Sequence, residues 1–156
     1  MPPKLIIGVI GAGSATAAGM AKAREVGRLL AERGAVLVCG GLGGIMQAAA
    51  EGCHNAGGEV IGILPGADAG AANPYVTLPI VTAMGQARNV IIVQTAQALI
   101  AIEGEYGTLS EIAIALKLGK PIVQIDSWPQ LKTGGQVDTA EEAVTMIFNA
   151  LKEKSG

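Results

Sequence analysis

The feature that most constrains this chain is an alternation: short runs that are apolar at nearly every position, each followed by a stretch with helical spacing. The runs are residues 4–10 (KLIIGVI), 35–39 (AVLVC), 59–64 (EVIGIL), 98–102 (ALIAI) and 121–125 (PIVQI). A run without a polar side has no face to turn to water. Each therefore predicts a strand buried on both faces, the condition of a parallel sheet with helices above and below it. Between the runs, AAGMAKAREVGRLLAERG sets Met20, Val26, Leu29 and Leu30 at helical spacing and stops at Gly34, and IMQAAAEGCHNAGG stops at Gly57 and Gly58. Residues 85–95 and the segment LSEIAIALKLG predict two more helices. A tail helix from about Thr139 to Lys154 has Ala143, Met146, Ile147, Ala150 and Leu151 on one apolar face. Residues 67–81 read as irregular, with a short strand near Val76–Leu78.

Right-handed crossovers turn this order into an α/β, Rossmann-like fold: a doubly wound open parallel sheet with helices on both faces, one domain over residues 1–156. Ligands of such sheets sit beyond the carboxyl ends of the strands, near the point where strand order reverses.

Composition narrows the function classes. With 50% hydrophobic and 15% charged residues and a mean hydropathy of +0.45, the chain is not disordered. A net charge of -2 offers no basic stripe for nucleic acid. No run of about 18 apolar residues predicts a membrane span. The opening MPPKLIIGVIGAGS superficially resembles a signal peptide, but Gly8, Gly11 and Gly13 read better as a strand entering a loop. Cys39 and Cys53 lack metal-ligand spacing and read as reduced, buried thiols, which points to the cytoplasm. So few charges also predict a surface buried against another subunit.

Three loops after strands carry the candidate chemistry. They are Gly11-Ala12-Gly13-Ser14-Ala15-Thr16, Gly40-Gly41-Leu42-Gly43-Gly44 and Gly104-Glu105-Tyr106-Gly107-Thr108. Glycine lets backbone amides approach an anion, and a following helix start adds a favourable dipole. Ordinary turn chemistry is the competing reading for the first loop. Four glycines in the second exceed what a turn requires. The first loop nearly fits GxGxxG, with Thr16 at the last glycine. The second strand ends in Cys39-Gly40-Gly41, without the acid that a dinucleotide ribose needs, which argues against an NAD or FAD enzyme.

Among charged residues, Arg88 either clamps a phosphate or carboxylate or is a solvated helix residue. Glu111 closes Thr-Leu-Ser-Glu, a capping box, at a helix start that could also face the ligand. Glu103 and Glu105 face solvent, or accept hydrogen bonds from an amino-heterocycle such as a pterin or guanine. His54, the only histidine, reads as a helix-end residue, so a Ser-His-Asp or Cys-His nucleophile is not expected. No cluster predicts a protein-held metal. Tyr106 and Trp128 read as packing groups.

The combination of GGLGGIM (40–46), Arg88 and GTLSE (107–111) after an apolar strand resembles the family of the LONELY GUY cytokinin-activating phosphoribohydrolases and the molybdenum cofactor carrier proteins. The LONELY GUY enzymes carry GGxxGxM, an Arg-Lys pair and PGGxGTxxE. Gly40, Gly41, Gly44 and Met46 match the first, and Arg88 the pair's arginine, with Asn89 for its lysine. Gly104, Gly107, Thr108 and Glu111 match the last, with Glu103 for its proline and Glu105 for its second glycine. The first loop and EGEYGTLSE look more like the carriers. That resemblance implies a cytoplasmic homodimer or homotetramer binding molybdenum cofactor, a pterin with one phosphate, for molybdenum enzymes that receive it. Gly11, Gly13, Ser14, Gly40, Gly41, Gly43, Gly44, Met46, Arg88, Gly104, Gly107 and Thr108 would bind. The LONELY GUY resemblance implies instead that Arg88 and Glu111 cleave the N-glycosidic bond of a nucleoside 5′-monophosphate such as AMP.

Overall fold

A computed structural model describes residues 2–155. Its centre is a seven-stranded parallel sheet of β1 (Ile6–Gly11), β2 (Val36–Cys39), β3 (Val60–Leu64), β4 (Leu78–Val81), β5 (Ala98–Ile102), β6 (Ile122–Ile125) and β7 (Gly135–Gln136). The spatial order is β4-β3-β2-β1-β5-β6-β7. The helices are α1 (Ala17–Glu32), α2 (Ile45–Asn55), α3 (Arg88–Thr95), α4 (Tyr106–Lys117) and α5 (Ala140–Ser155).

The apolar runs behave as their patterning predicts. Successive side chains of a strand point to opposite faces. In β5, Ala98, Ile100 and Ile102 enter one core while Leu99 and Ala101 enter the other. In β1, Ile7 and Val9 join the first core and Ile10 the second. Helices α1, α2 and α5 cover the first face, and α3 and α4 the second. The apolar face of α5 is Ala143, Val144 and Ile147 at its centre, with Met146, Phe148 and Leu151 partly buried beside it.

Several boundaries differ from the sequence reading. The stretch 85–95 is not one helix. A 3-10 turn, Gly85–Ala87, precedes α3, because Ala83 and Gly85 take positive φ and their amides donate to Gly66 and Pro65 carbonyls at 2.9 Å each. The short strand lies at Leu78–Val81 rather than Val76–Leu78. Pro79 fits there because β4 is an edge strand, where one missing N–H leaves no partner unpaired. Strand β7 carries no apolar run and was not predicted. Leu78, Ile80 and Val81 on β4, with Met84 and Val90, are large apolar residues left exposed.

The chain direction places the site. From β1 it runs outward through β2, β3 and β4, then returns to lay β5 on the other side of β1. Strand order therefore reverses between β1 and β5, and the crevice of such a sheet opens beyond their carboxyl ends.

Candidate functional site

A cleft of about 380 Å³ opens at that reversal point. Gly11, Gly13 and Ser14 line it from the first loop, and Gly40 and Met46 from the second. Gly107 and Thr108 come from the third loop, with Arg88 and Glu111 from α3 and α4. Of the other predicted binding residues, Gly41, Gly43, Gly44 and Gly104 do not line it. Gly44 has φ +65, and a Cβ there would stand 2.2 Å from the Ala12 carbonyl oxygen. That close approach lets the Ile45 amide donate to the Ala12 carbonyl at 2.9 Å, locking the first loop to the second.

Arg88 is not a solvated helix residue. It is 7% exposed. Its Nη1 donates to Asn89 Oδ1, and its Nη2 to the Gly40 carbonyl at 3.5 Å. Its buried Nε has no hydrogen-bond partner. Burial lowers the guanidinium's pKa, and Glu111 and Cys39 oppose that shift. Asn89 also braces α3 against α4, its Nδ2 donating to Ser110 Oγ at 3.2 Å and to Gln86 Oε1 at 3.5 Å. Ser110 Oγ donates to the Gly107 carbonyl at 2.6 Å, extending this network to the third loop. Gln86 and Asn89, on either side of Arg88 in sequence, were missed as lining residues.

Glu111 is also 7% exposed. The capping box read from Thr-Leu-Ser-Glu does not form. Helix α4 begins at Tyr106, so Thr108 is already its third residue and Glu111 lies a full turn inside. Burial drives the Glu111 carboxyl up to about 8, with the Arg88 charge pulling it back. At neutral pH the group is mainly the neutral acid, able to donate as well as accept a hydrogen bond.

Helices α2 and α4 begin without side-chain caps or acidic first-turn residues. Their first ladder bonds run from Ala48 to Gly44 and from Leu109 to Glu105. The amides of Met46, Gly107 and Thr108 therefore have no acceptor within their own helix, and all three residues line the cleft. Helix α1, in contrast, is capped: Thr16 Oγ1 accepts from the Gly19 amide at 3.0 Å. Glu103 holds that cap instead of simply facing solvent. Its carboxylate accepts from the Thr16 amide at 3.0 Å and the Thr16 hydroxyl at 2.5 Å. Glu105 remains exposed at the cleft's rim.

His54 lies in the last turn of α2, with Tyr75 at 6.0 Å between ring centroids, and does not line the cleft. Cys39 and Cys53 are free and buried, and burial pushes their thiols up to about 12 and about 11. Tyr106 is not a packing group: it is 80% exposed. Among the described residues, no group of three or more His, Cys, Asp or Glu side chains is placed to hold a metal ion. None of the described helices is long and apolar enough to cross a membrane.

The model of the SLOG cluster4 family matches residues 4–154. A protein of Archaeoglobus fulgidus, described as uncharacterised, is 49% identical over 145 residues, spanning 92% of this chain and 95% of that protein. The molybdenum cofactor binding protein of the phototrophic bacterium Rippkaea orientalis superposes with a TM-score of 0.88 at 32% identity, covering 97% of this chain and 99% of that one. The molybdenum cofactor carrier protein of Chlamydomonas reinhardtii does so with a TM-score of 0.89 at 31% identity, covering 96% and 99%.

Proposed function

The chain belongs to the SLOG cluster4 family, and from that premise we propose that it binds a phosphorylated pterin, the molybdenum cofactor, and carries it without converting it. The observation that carries this reading is the meeting, in one cleft, of two uncapped helix starts with an arginine whose buried Nε has no protein partner. Uncapped helix-start amides and a positive guanidinium beside one cleft suit an anion, which accepts from the amides and offsets the charge.

In this reading the phosphate rests against the amides of Gly13, Ser14, Gly107 and Thr108, with Arg88 supplying the charge. Gly11, Gly40, Gly41, Gly43, Gly44 and Gly104 keep the walls close, and Met46 packs against the ligand. Glu111, neutral at pH 7, does not repel the phosphate and can hydrogen-bond the pterin's polar edge. The carrier acts in the cytoplasm as a homodimer or homotetramer and passes its cargo to molybdenum enzymes. The structural neighbours named as binding or carrying this cofactor support the reading. Its test is protection: under air, bound cofactor is expected to lose activity several-fold more slowly than free cofactor. Equal rates would overturn it.

A second reading rests on a different observation, that Arg88 and Glu111 line the same cleft. A LONELY GUY-like phosphoribohydrolase would use Arg88 to orient a nucleoside 5′-monophosphate and Glu111 during glycosidic cleavage. Incubation with AMP, read for adenine and ribose 5-phosphate against an Arg88→Ala, Glu111→Ala control, decides it. Release above the control establishes the enzyme.

A further inference from the structure

Beside the cleft lies a second hollow of about 470 Å³, between the third loop and the segment after β6. Glu105 lines both, so the two spaces adjoin across one residue. The hollow is bordered by Tyr106 and Trp128, whose rings stand 6.3 Å apart and 34° from parallel. An aromatic ring 80% exposed, as Tyr106 is, leaves a large apolar face in water beside a cavity.

The Trp128 side of the hollow is held in place. Trp128 Nε1 donates to the Glu105 carbonyl at 3.2 Å, and Ser127 Oγ to the Glu103 carbonyl at 2.6 Å, so two bonds pin this segment to the third loop. Gln124, only 1% exposed, accepts from the Trp128 amide and donates to the Leu131 carbonyl and Thr133 Oγ1. An aromatic wall fixed on its Trp128 side, with an exposed carboxylate at its edge, suits one class of group: a planar nitrogen heterocycle that stacks on the rings and offers amino hydrogens to Glu105.

We propose that Tyr106, Trp128 and Glu105 form a second subsite, which takes a nucleobase joined through phosphate to the group in the Arg88 cleft. The ligand class is thus a dinucleotide type, two planar heterocycles bridged by phosphate. Each hollow alone is at the lower end of the range for small-ligand sites, about 300–1,000 Å³, and the two, which share Glu105, stay within that range when taken together. This inference rests on the phosphate-cleft reading above.

Trp128 is the chain's single tryptophan, so the protein's tryptophan fluorescence comes from this subsite. The full-length protein is titrated with guanosine 5′-monophosphate and with ribose 5-phosphate, which has the phosphate but no base. The nucleotide is expected to quench Trp128 and to bind about tenfold or more tighter than ribose 5-phosphate. By equilibrium dialysis, Tyr106→Leu and Trp128→Leu are each expected to erase that advantage while still binding ribose 5-phosphate. Tyr106 is at the surface, so its variant retains the fold even if the loop of Trp128→Leu shifts. Equal binding of both compounds without quenching overturns this inference alone. Binding of neither overturns it together with the phosphate-cleft reading.

Discussion

The Arg88 guanidinium lies directly against Gly40: its Nη2 donates to the Gly40 carbonyl at 3.5 Å, and a Cβ on Gly40 would stand 2.7 Å from that nitrogen. The same Cβ would stand 2.7 Å from Met46 Sδ. Both neighbours are the ends of flexible side chains, so Gly40→Ala is expected to fold, with a melting temperature within a few degrees of the parent. Arg88 must move, however, and affinity for a phosphorylated ligand is expected to fall by about tenfold, the equivalent of one charge-assisted hydrogen bond. Thermal unfolding checks the first half, and isothermal titration of the variant against ribose 5-phosphate checks the second.

Glu111 sets a pH dependence of stability. Its carboxyl is raised from 4.5 in the unfolded chain to about 8 in the folded one. Below pH 4.5 both states are protonated and there is no penalty. As pH rises towards 8 the unfolded chain releases a proton that the folded chain keeps, so stability falls across that window. Glu111→Gln removes the difference. It is expected to match the parent at pH 4 and to exceed it at pH 8 by on the order of a few kcal/mol. Denaturant unfolding at both pH values is the measurement, and parallel pH profiles would contradict the assignment. Above pH 8 the ionised carboxylate also faces the cleft, so affinity for an anion is expected to weaken there in the parent and not in the variant.

Glu103 ties the third loop to the first through two hydrogen bonds to Thr16. Glu103→Ala is expected to lower stability by about 1.5–3 kcal/mol, the range for hydrogen bonds to charged groups. Hydrogen exchange at Thr16 and Gly19 is expected to accelerate, while exchange in β5 stays protected.

The exposed apolar edge of β4 predicts self-association. Leu78, Ile80 and Val81 lie on an edge strand whose outer side is unpaired, a feature that proteins ordinarily protect. Sedimentation velocity is expected to give a multiple of 15.7 kDa. Ile80→Lys is expected to shift it to the single-chain mass. A parent that sediments as a monomer would contradict the oligomer reading.

What was legible in the sequence follows from which signals are unambiguous. Runs such as ALIAI are buried on both faces, so their patterning and their environment agree, and five of the seven strands could be read directly. Gly135–Gln136 joins the sheet by backbone pairing alone, with nothing in its side chains to mark it. The spacing Thr-x-x-Glu is the same whether it starts a helix or lies one turn inside, so the capping box in GTLSE was misread. Half of one sits at Thr139–Glu142, where Thr139 Oγ1 accepts from the Glu142 amide and donates to the Glu142 carboxylate. That Arg88, Glu111 and residues of the three loops border one cleft could be anticipated, because strand ends and helix starts can be located from pattern. Asn89, Gln86 and the Tyr106–Trp128 pair depend on distances between elements, which one-dimensional spacing does not carry.

The most direct measurement is the amount of molybdenum and pterin retained per chain after anaerobic incubation with the cofactor and gel filtration, for the parent and for Arg88→Ala. The expected result is close to one of each per parent chain and a loss of most of both in the variant. Equal retention by the two proteins, or none by the parent, would contradict the claim that Arg88 and the glycine loops hold a phosphorylated pterin.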